Sequence, residues 1–442
     1  MKSKEKEYND KETLFGKVPY DWNVSNIGEI ADLRQGLQIS KKLRVDSNTL
    51  GAIPLLKITD MPQKCFSEYV KDVPEQYIAD ENDIIYTRTG QVGLVYTNLN
   101  GCVHNNCFKV IVDYNYFDKQ YIYYYLSSKN VEKYSNNVAG GSVQKDLTHG
   151  AFKTCKIAYP SLKEQKAIAK ILSDLDEKIE VNNKINKNLE EMAQAIFKQW
   201  FVDFEFPNEE GKPYKSSGGE MVESELGMIP KGWKVFYMEE FVNTYNGYSY
   251  KGKELTKSND AMITIKNFDR KGGYKLDGLK EISISNKVKE HHYIDINDIL
   301  IAHTDLTQGA EIIGNPIMVY SKGKYNKLIM SMDTVKVTSK KSNINNSLLY
   351  YIFKDLRFKS FALKFVNGTT VLHLSKTTIP KYKIALPNDE NILLKIGGIL
   401  NSLTNKISNN IIENERLEKL RDTLLPKLMS GEIRVPLENS EN

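Results

Sequence analysis

A single apolar seam, repeated once, constrains the fold of this 442-residue chain more than any other feature. Apolar residues recur every three or four positions, the period of a helix that packs along one stripe, in Ile168, Leu172, Leu175, Ile179, Asn182, Ile185, Leu189, Met192, Ile196 and Trp200. A helix covering this seam would be about 60 Å long, too long for the interior of an ordinary domain. The same register returns 228 positions later in Leu400, Leu403, Ile407, Asn410, Leu417, Leu420, Leu424 and Leu428. The sequence therefore predicts two long helices that pair with each other.

Three polar or helix-breaking residues interrupt the two copies of the seam. Asn182 and Asn410 occupy matching positions, and each is either a tolerated polar defect or a buried amide that fixes the register of the pair. Because both copies keep the asparagine, the register lock is the favoured interpretation. Pro426 stands where the first helix has Lys198. Because proline lacks an N–H, the second helix is predicted to bend or end near Leu425.

The sequence before each helix is also repeated. The matching segments are residues 18–24 with 229–235, 83–85 with 298–300, and 141–142 with 368–369. In the first copy, β-branched and aromatic runs at 83–87 and 93–96 predict a hairpin, and the pattern at 118–130 predicts a helix. The chain is therefore predicted to be α+β, with a module followed by a long helix occurring twice. Antiparallel pairing of the helices would give this repeat a pseudo-twofold axis.

These patterns divide the chain into seven predicted segments. They are a disordered N-terminal tail at 1–16, a first module at 17–160, a helix at 161–205, a linker at 206–228, a second module at 229–387, a helix at 388–430 and a C-terminal tail at 431–442. No run of eighteen apolar residues exists, so no membrane-spanning helix is expected. The four cysteines are too few for a disulfide framework and indicate a reducing cytoplasm.

Charge is unevenly distributed between the two modules. Residues 231–387 contain 25 Lys and Arg against 14 Asp and Glu, whereas residues 17–160 contain 16 against 15. A basic module favours a polyanion such as DNA as partner, although a lysine-rich surface is also common in AT-rich coding. The near-neutral first module shows that charge is only part of the argument.

Two motifs of phosphate and nuclease chemistry are present only in incomplete form. Residues 247–253 match G-x-x-x-x-G-K, but Glu254 follows where a phosphate-binding loop needs a hydroxyl. The E-x-K match at 164–166 lacks the Pro-Asp of a metal-dependent nuclease. It is better explained as the start of a helix, in which Ser161 and Glu164 form a capping box.

Methyltransferase and zinc motifs are incomplete as well. Residues 315–318 (NPIM) lack the second proline and the aromatic residue of an adenine methyltransferase loop. Cys102, His104 and Cys107 lack a second ligand pair at zinc-finger spacing. The chain is therefore predicted to be non-catalytic, without a metal site or cofactor of its own.

Three stretches are distinctive in combination: residues 195–204 (AIFKQWFVDF), 224–233 (SELGMIPKGW) and 424–433 (LLPKLMSGEI). With the duplicated layout and the Gly-Ser/Thr loop before each helix, they make the chain resemble the specificity (S) subunits of type I restriction–modification systems. The resemblance spans residues 17–435. The second module departs from the pattern, because it has His303-Thr304-Asp305 where the first has Arg88-Thr89-Gly90.

The resemblance implies a function in phage defence. Each module would be a target recognition domain for one half of a bipartite, asymmetric double-stranded DNA site, and the long helices would form an antiparallel coiled-coil spacer. The partners would be two modification (methyltransferase) subunits and, through them, restriction (translocase–nuclease) subunits. S-adenosylmethionine, ATP and Mg²⁺ would be bound by those partners and not by this chain.

Candidate DNA contacts are Arg, Asn, Gln and Lys side chains for bases, and Ser, Thr and Lys for phosphates. In the first module they are Arg34, Gln35, Lys41, Lys42, Arg44, Thr87, Arg88, Thr89, Gln91, Ser142, Gln144 and Lys145. In the second module they are Asn246, Lys251, Lys253, Lys266, Asn267, His303, Thr304, Gln308, Thr369, Thr370, His373 and Lys376. Arg88 is the preferred base reader. For each of these residues, the alternative is a solvated polar loop side chain.

Two other classes of protein stay open from sequence. A self-sufficient methyltransferase or nuclease is disfavoured by the missing motifs. A coiled-coil adaptor that does not read DNA is disfavoured by the duplicated modules and by the basic second half.

Overall fold

The structure is a computed structural model that describes residues 12–270 and 272–436. The chain divides into two compact units. The first unit comprises residues 1–178 and 417–442, and the second comprises residues 179–416. Each unit thus contains one module together with part of each long helix. No helix in the described part of the chain is long and apolar enough to cross a membrane.

The first unit is built from short strands and helices. Its strands are β1 (Asn23–Asn26), β2 (Ala31–Gln35), β3 (Ile53–Leu56), β4 (Tyr69–Val70), β5 (Ile78–Ala79), β6 (Ile84–Thr87), β7 (Val95–Tyr96), β8 (Gly101–Val103), β9 (Cys107–Val112) and β10 (Lys156–Tyr159). Its helices are α1 (Ile27–Ile30), α2 (Lys119–Ser127), α3 (Lys129–Val138), α4 (His149–Lys153) and the start of α5 (Leu162–Phe201). The sheets have the orders β2-β9-β6-β7 and β4-β3-β8-β5, with β1 paired to β10.

The second unit begins within α5. Its strands are β11 (Met221–Ser224), β12 (Gly227–Pro230), β13 (Trp233–Tyr237), β14 (Val242–Asn246), β15 (Asp260–Ile263), β16 (Lys280–Glu281), β17 (Tyr293–Ile294), β18 (Ile299–Ala302), β19 (Thr304–Asp305), β20 (Pro316–Met318), β21 (Lys327–Met330), β22 (Thr334–Ser339), β23 (Val366–Asn367), β24 (Leu372–Leu374) and β25 (Lys383–Pro387). Its helices are α6 (Asn346–Lys354), α7 (Leu356–Leu363), α8 (Thr378–Lys381) and α9 (Glu390–Met429), and α9 ends in the first unit.

The sheet order of the second unit repeats that of the first. Its four-stranded sheets run β14-β22-β18-β20 and β16-β15-β21-β17, and β13 pairs with β25. A parallel strand pair is repeated as well: β15 pairs parallel with β21, as β3 does with β8. This agreement confirms the prediction of two similar α+β modules.

In the second unit, α5 and α9 pair antiparallel. Asn182 Nδ2 donates to Asn414 Oδ1 at 2.8 Å, and Asn410 Nδ2 donates to Asn186 Oδ1 at 2.8 Å. Residue numbers rise along one helix as they fall along the other. This confirms the pairing predicted from the repeated seam and the antiparallel direction that the family resemblance implied.

The first unit contains the other ends of the same helices, also antiparallel. Arg421 Nη1 donates to Asp176 Oδ1 at 2.6 Å, and the hydroxyl of Tyr124 donates to Asp176 Oδ2 at 2.7 Å. At the same corner, Lys129 of α3 forms an ion pair with Asp422. These polar contacts therefore fix α5 and α9 against the first module.

Both helices contribute apolar side chains to the module cores. In the first unit, Ile168, Leu172, Leu428 and Met429 pack with a core that includes Trp22, Tyr86, Phe108, Tyr121 and Phe152. In the second, Ala193, Phe197, Trp200, Phe201 and Leu400 pack with a core that includes Trp233, Tyr350, Phe353 and Phe358. Burial in a module core explains why the seam keeps large apolar residues at both helix ends.

The predicted end of the second helix near Leu425 is wrong, whereas the alternative, a bend at Pro426, stays a prediction. Helix α9 continues through Pro426 to Met429, and Ser430 N donates to the Pro426 carbonyl at 3.0 Å. A proline removes one backbone hydrogen bond. The buried side chains of Leu428 and Met429 keep the last turn in place.

The predicted N-terminal tail is ordered where the structure describes it. Thr13 Oγ1 donates to Gly16 O at 2.7 Å, and Phe15 stacks edge-on against Tyr125 with ring centroids 5.2 Å apart. Ser224 makes the same turn with Gly227 at 2.6 Å. The repeat therefore starts at residue 13, and the predicted disorder is wrong for 13–16. Residues 1–11, and the predicted frayed end at 437–442, lie outside the described residues.

The predicted linker at 206–228 is also structured. It contains the β11–β12 hairpin, and Phe206 is buried between Tyr214 and Trp233, at ring-centroid distances of 4.7 and 5.3 Å. The aromatic residues of this segment join the core of the second unit, which a composition rich in glycine and serine did not indicate.

Candidate nucleic-acid interface

In the first module, a hairpin and a glycine-containing loop meet. β6 pairs with β7, with Ile85 opposite Tyr96, as predicted. Beyond β6, Thr89 forms a bridge with Asp146, which follows the glycine loop and also bridges to Gly140. Two groups of candidate DNA contacts that are distant in sequence therefore share one edge of the module.

Arg88 connects the hairpin with the glycine loop and with β2 through hydrogen bonds. Its Nη2 donates to Asp146 Oδ2 at 2.6 Å, and its Nε donates to the Leu147 carbonyl at 3.2 Å. Its Nη1 donates to Gln35 Oε1 at 3.1 Å, while Thr89 Oγ1 donates to Asp146 Oδ1 at 2.6 Å. The guanidinium of the preferred base reader is thus engaged within the protein and is paired with a carboxylate.

Removing this guanidinium should loosen the glycine loop. Arg88→Ala is expected to cost about 1–2 kcal/mol, the scale of lost charge-assisted hydrogen bonds at a partly exposed site. Hydrogen exchange should speed up at the amides of Gly90 and Leu147, which close the contact. Arg34→Ala, at an exposed position on β2, is the matched control. Unchanged exchange at both amides in Arg88→Ala would contradict this role.

The glycine loop has a shape that only glycine allows. Gly141 has φ +94°, and a Cβ there would lie 2.1 Å from the Gln144 carbonyl. Gly368 has φ +113°, and its Cβ would lie 2.1 Å from the Val371 carbonyl. Left-handed backbone at such close approach explains why both copies keep glycine at this point.

The remaining candidates of the first module fall into two groups. Exposed to solvent are Arg34, Lys41, Lys42, Gln91, Ser142, Gln144 and Lys145. Arg44 forms an ion pair with Glu68, and the buried Thr87 accepts a backbone N–H at 2.9 Å. Lys145 Nζ binds the carbonyl and the side chain of Asn136 at 3.1 and 3.0 Å. Arg44 and Thr87 therefore have structural roles in the free protein.

The second module repeats the arrangement with other residues. β19 pairs with β24, with Thr304 opposite His373, and Gln308 Nε2 donates to the Thr369 carbonyl. Exposed candidates are Asn246, Lys251, Lys253, Lys266, Gln308, Thr369, Thr370, His373 and Lys376. Thr304 and Asn267 are buried, and Asn267 donates to the Lys275 carbonyl at 2.8 Å, so both are structural. His303 is half-buried.

A carboxylate and an ammonium hold the loop that follows β19. Asp305 accepts from the backbone of Thr307 and Ile312 at 2.8 Å each, and burial opposed by these bonds leaves its pKa lowered. Lys359 Nζ donates to three carbonyls of the loop, the shortest contact being 2.6 Å to Ile313. Burial lowers the pKa of Lys359 to about 8. The exposed Leu306 and Gln308 therefore project from a fixed loop.

Sequence reasoning missed the residues that hold these loops. Asp146 lies next to the candidate Lys145 in a repeated loop, so its position was a signal that was available. Lys359 lies on α7, distant in sequence from the loop it binds, and nothing in the sequence marks it. Both act through other residues, by holding the loops that carry the exposed side chains.

Two further sequence matches have structural explanations. Glu254, at the end of the G-x-x-x-x-G-K match, accepts from Lys251 N at 2.6 Å and from the hydroxyl of Tyr248 at 2.9 Å. Cys102 and Cys107 are buried, and burial raises their thiol pKa values to about 11 and about 12. No group of three or more potential metal ligands occurs within residues 12–270 and 272–436.

A family model described as the type I restriction modification DNA specificity domain matches this chain twice, at residues 19–191 and 230–420. The chain belongs to this family. The two matches coincide with the two module-plus-helix repeats, so the chain is a specificity subunit and not one of the catalytic subunits of such a system.

Known proteins agree along the whole length. The chain is 28% identical to the type I restriction enzyme MjaIX specificity subunit of Methanocaldococcus jannaschii, with 96% of each chain covered. It is 25% identical to the HindI specificity subunit of Haemophilus influenzae, covering 93% of this chain and all of that protein. In fold it is similar to a crystal structure of a type I S subunit from M. genitalium, with a TM-score of 0.52 at 18% identity, covering 92% and 96% of the two chains.

Proposed function

We propose that this chain determines the DNA sequence recognised by a type I restriction–modification complex, with each module binding one half of a bipartite, asymmetric double-stranded site. The observation that carries the proposal is that one module fold occurs twice with different residues at equivalent loop positions. The first module has Arg88 and Asp146 where the second has His303 and His373. Equal scaffolds with unequal loops fit two unlike half-sites.

The paired helices support a spacer role. In each unit, α5 and α9 run antiparallel and their side chains enter the module core. Because apolar packing and polar contacts both resist sliding, the helices would set the number of base pairs left unread between the half-sites.

The partners and cofactors follow from this assignment. We infer that the subunit binds two methyltransferase subunits and, through them, restriction subunits in the cytoplasm. The relatives at 28% and 25% identity are named specificity subunits of type I restriction enzymes, which supports this assembly. S-adenosylmethionine, ATP and Mg²⁺ would be bound by those partners.

A module exchange tests the proposed function. Residues 17–160 are replaced by the corresponding module of the M. jannaschii relative, and the chimera is expressed with its methyltransferase partner. Sequencing of methylated bases should show one half-site changed, with the other half-site and the spacing kept. The reciprocal chimera at 229–387 is the control and should change the other half only. If neither exchange alters the methylated sequence, the modules do not read DNA.

A further inference from the structure

Two pairs of residues occupy equivalent positions in the two modules. Arg88 and His303 are related by the offset of 215 that aligns the hairpins, and Asp146 and His373 by the offset of 227 that aligns the glycine loops. The backbone bonds agree: Leu147 N donates to the Arg88 carbonyl at 2.9 Å, as the residue after His373 does to the His303 carbonyl at 2.9 Å. The second module therefore has two imidazoles where the first has an ion pair.

These residue differences between the two modules change the charge of this edge. In the first module, Asp146 neutralises Arg88 at 2.6 Å. In the second module, no acid replaces Asp146. The charged and titratable groups that act on His303 are His373, Lys376 and Asp333, and Asp333 already accepts from the Thr304 hydroxyl at 3.2 Å.

His303 and His373 differ in environment. His373 is exposed on β24. His303 is half-buried, and its Nε2 is a buried atom without a hydrogen-bond partner among the described residues. Burial first, then His373 and Lys376, lower the pKa of His303, against the opposing effect of Asp333. The neutral form of His303 therefore dominates at neutral pH in the free protein.

We propose that His373 is a proton-linked DNA contact of the second module, in which the phosphate backbone binds its exposed, protonated imidazole and the half-buried His303 lies nearby. The inference rests on the proposed function, because it requires this edge to face DNA. No covalent step is involved: DNA binding takes up a proton from solution, and DNA release returns it.

The direction of the effect follows from linkage. A nearby polyanion favours the charged imidazole and so raises its pKa in the complex above that in the free protein. DNA affinity must then rise as the pH falls between these two pKa values, and level off below the lower one. In the first module, Arg88 keeps its charge throughout this range, so this contact adds no comparable dependence.

The test is DNA affinity as a function of pH. The full chain is titrated with a labelled random-sequence duplex at fixed ionic strength, from about pH 7.5 to about pH 6. The affinity of the natural sequence should rise roughly fivefold, as expected for partial uptake of one proton. The increase should shrink to less than about twofold in His303→Asn/His373→Asn. His373→Asn alone, at an exposed position, should also flatten the profile if the double variant fails to fold.

The matched control is His291→Asn, which removes another imidazole of the same module, one that stacks on Tyr245 at 5.5 Å. It should keep the full pH dependence. A pH dependence in His373→Asn equal to that of the natural sequence overturns the inference while leaving the proposed function intact. Module exchanges that leave the methylated sequence unchanged contradict the proposed function itself, and the inference with it.

Discussion

Replacing Arg434 with alanine will lower the free energy of unfolding of the first unit by about 2–3 kcal/mol, because it leaves a buried carboxylate without its cation. The side chain of Glu164 is only 4% exposed. Its two oxygens accept from Arg434 Nε at 2.8 Å and Nη2 at 3.0 Å. Arg434 also binds both oxygens of Asp21, at 3.0 and 2.8 Å. The expected loss is less than that of a fully buried pair because Arg434 is 41% exposed.

Urea denaturation gives the free energy, and hydrogen exchange of residues 17–24 assigns the loss to the first unit. Arg434→Ala/Glu164→Gln should recover part of the loss, since a neutral amide is less costly to bury than a charge. Lys427→Ala, which breaks an exposed pair with Glu432, is the matched control and should change stability by less than about 0.5 kcal/mol. An Arg434→Ala variant as stable as the natural sequence would show that Glu164 does not depend on this arginine.

The same cluster predicts a pH dependence. The bonds from Arg434 lower the pKa of Asp21 against a smaller opposing effect of burial. A carboxyl whose folded pKa is depressed contributes stability that is complete above its unfolded pKa, about 3.9, and is lost as the pH falls through the lower folded value. The free energy of unfolding of the natural sequence should therefore approach that of Arg434→Ala as the pH falls below about 4.

The periodic sequence patterns predicted the parts of the fold that occur twice. The 228-residue offset of the seam predicted two paired helices, because a long apolar stripe has few other ways to be buried, and the family resemblance supplied their antiparallel direction. The hairpin at 83–96 followed from β-branched runs around a turn. The failures lie where tertiary packing overrides local preference. Pro426 remains within a helix because the residues that follow it are buried, and residues 13–16 are ordered because Phe15 packs on Tyr125.

The candidate interface could be predicted only as a region. Repeated glycines and turn residues identified the hairpin and the glycine loop, because the backbone conformation of a turn depends mainly on its local sequence. Which side chains stay free was not predictable, because that depends on partners distant in the chain. Arg88 is bound by Asp146 and Leu147, and Asn267 is buried beneath its own turn. In the hairpin and the glycine loop of the first module, exposure instead identifies Gln91, Ser142 and Gln144 as side chains available to a ligand.

The hydrogen bonds of the seam asparagines follow the repeat, with partners that the sequence did not indicate. Asn182 and Asn410 are both buried but do not bind each other. Asn182 donates to Asn414 and Asn410 donates to Asn186, each at 2.8 Å. The offset of 228 that relates Asn182 to Asn410 also relates Asn186 to Asn414, so the two bonds are copies of one another. A third bond, from Asn414 Nδ2 to Asn183 Oδ1 at 2.9 Å, extends the ladder.

Truncating Asn414 to alanine is expected to destabilise the second unit by about 1–2 kcal/mol, because it removes the bonds of Asn414 with Asn182 and Asn183, while Asn182 keeps its bond to Glu413 Oε2 at 2.7 Å. Leucine at all four positions of the two copied bonds should instead raise the free energy of unfolding by about 1–2 kcal/mol, because both partners of each bond are replaced and apolar surface is buried in their place. Urea denaturation measures both changes. Opposite signs are expected because the first variant removes hydrogen bonds and keeps the other amides in the seam, whereas the second replaces the amides by apolar side chains.

The leucine variant also separates stability from register. An apolar seam tolerates a shift of one helix past the other, whereas the amide bonds satisfy only one alignment. Spin labels at exposed positions of α5 and α9 within the second unit should give one distance in the natural sequence and a broadened distribution in the leucine variant. The methylated half-sites of the complex should then show variable spacing. A single distance with fixed spacing would mean that the module contacts alone set the register, and that the ladder is a tolerated defect.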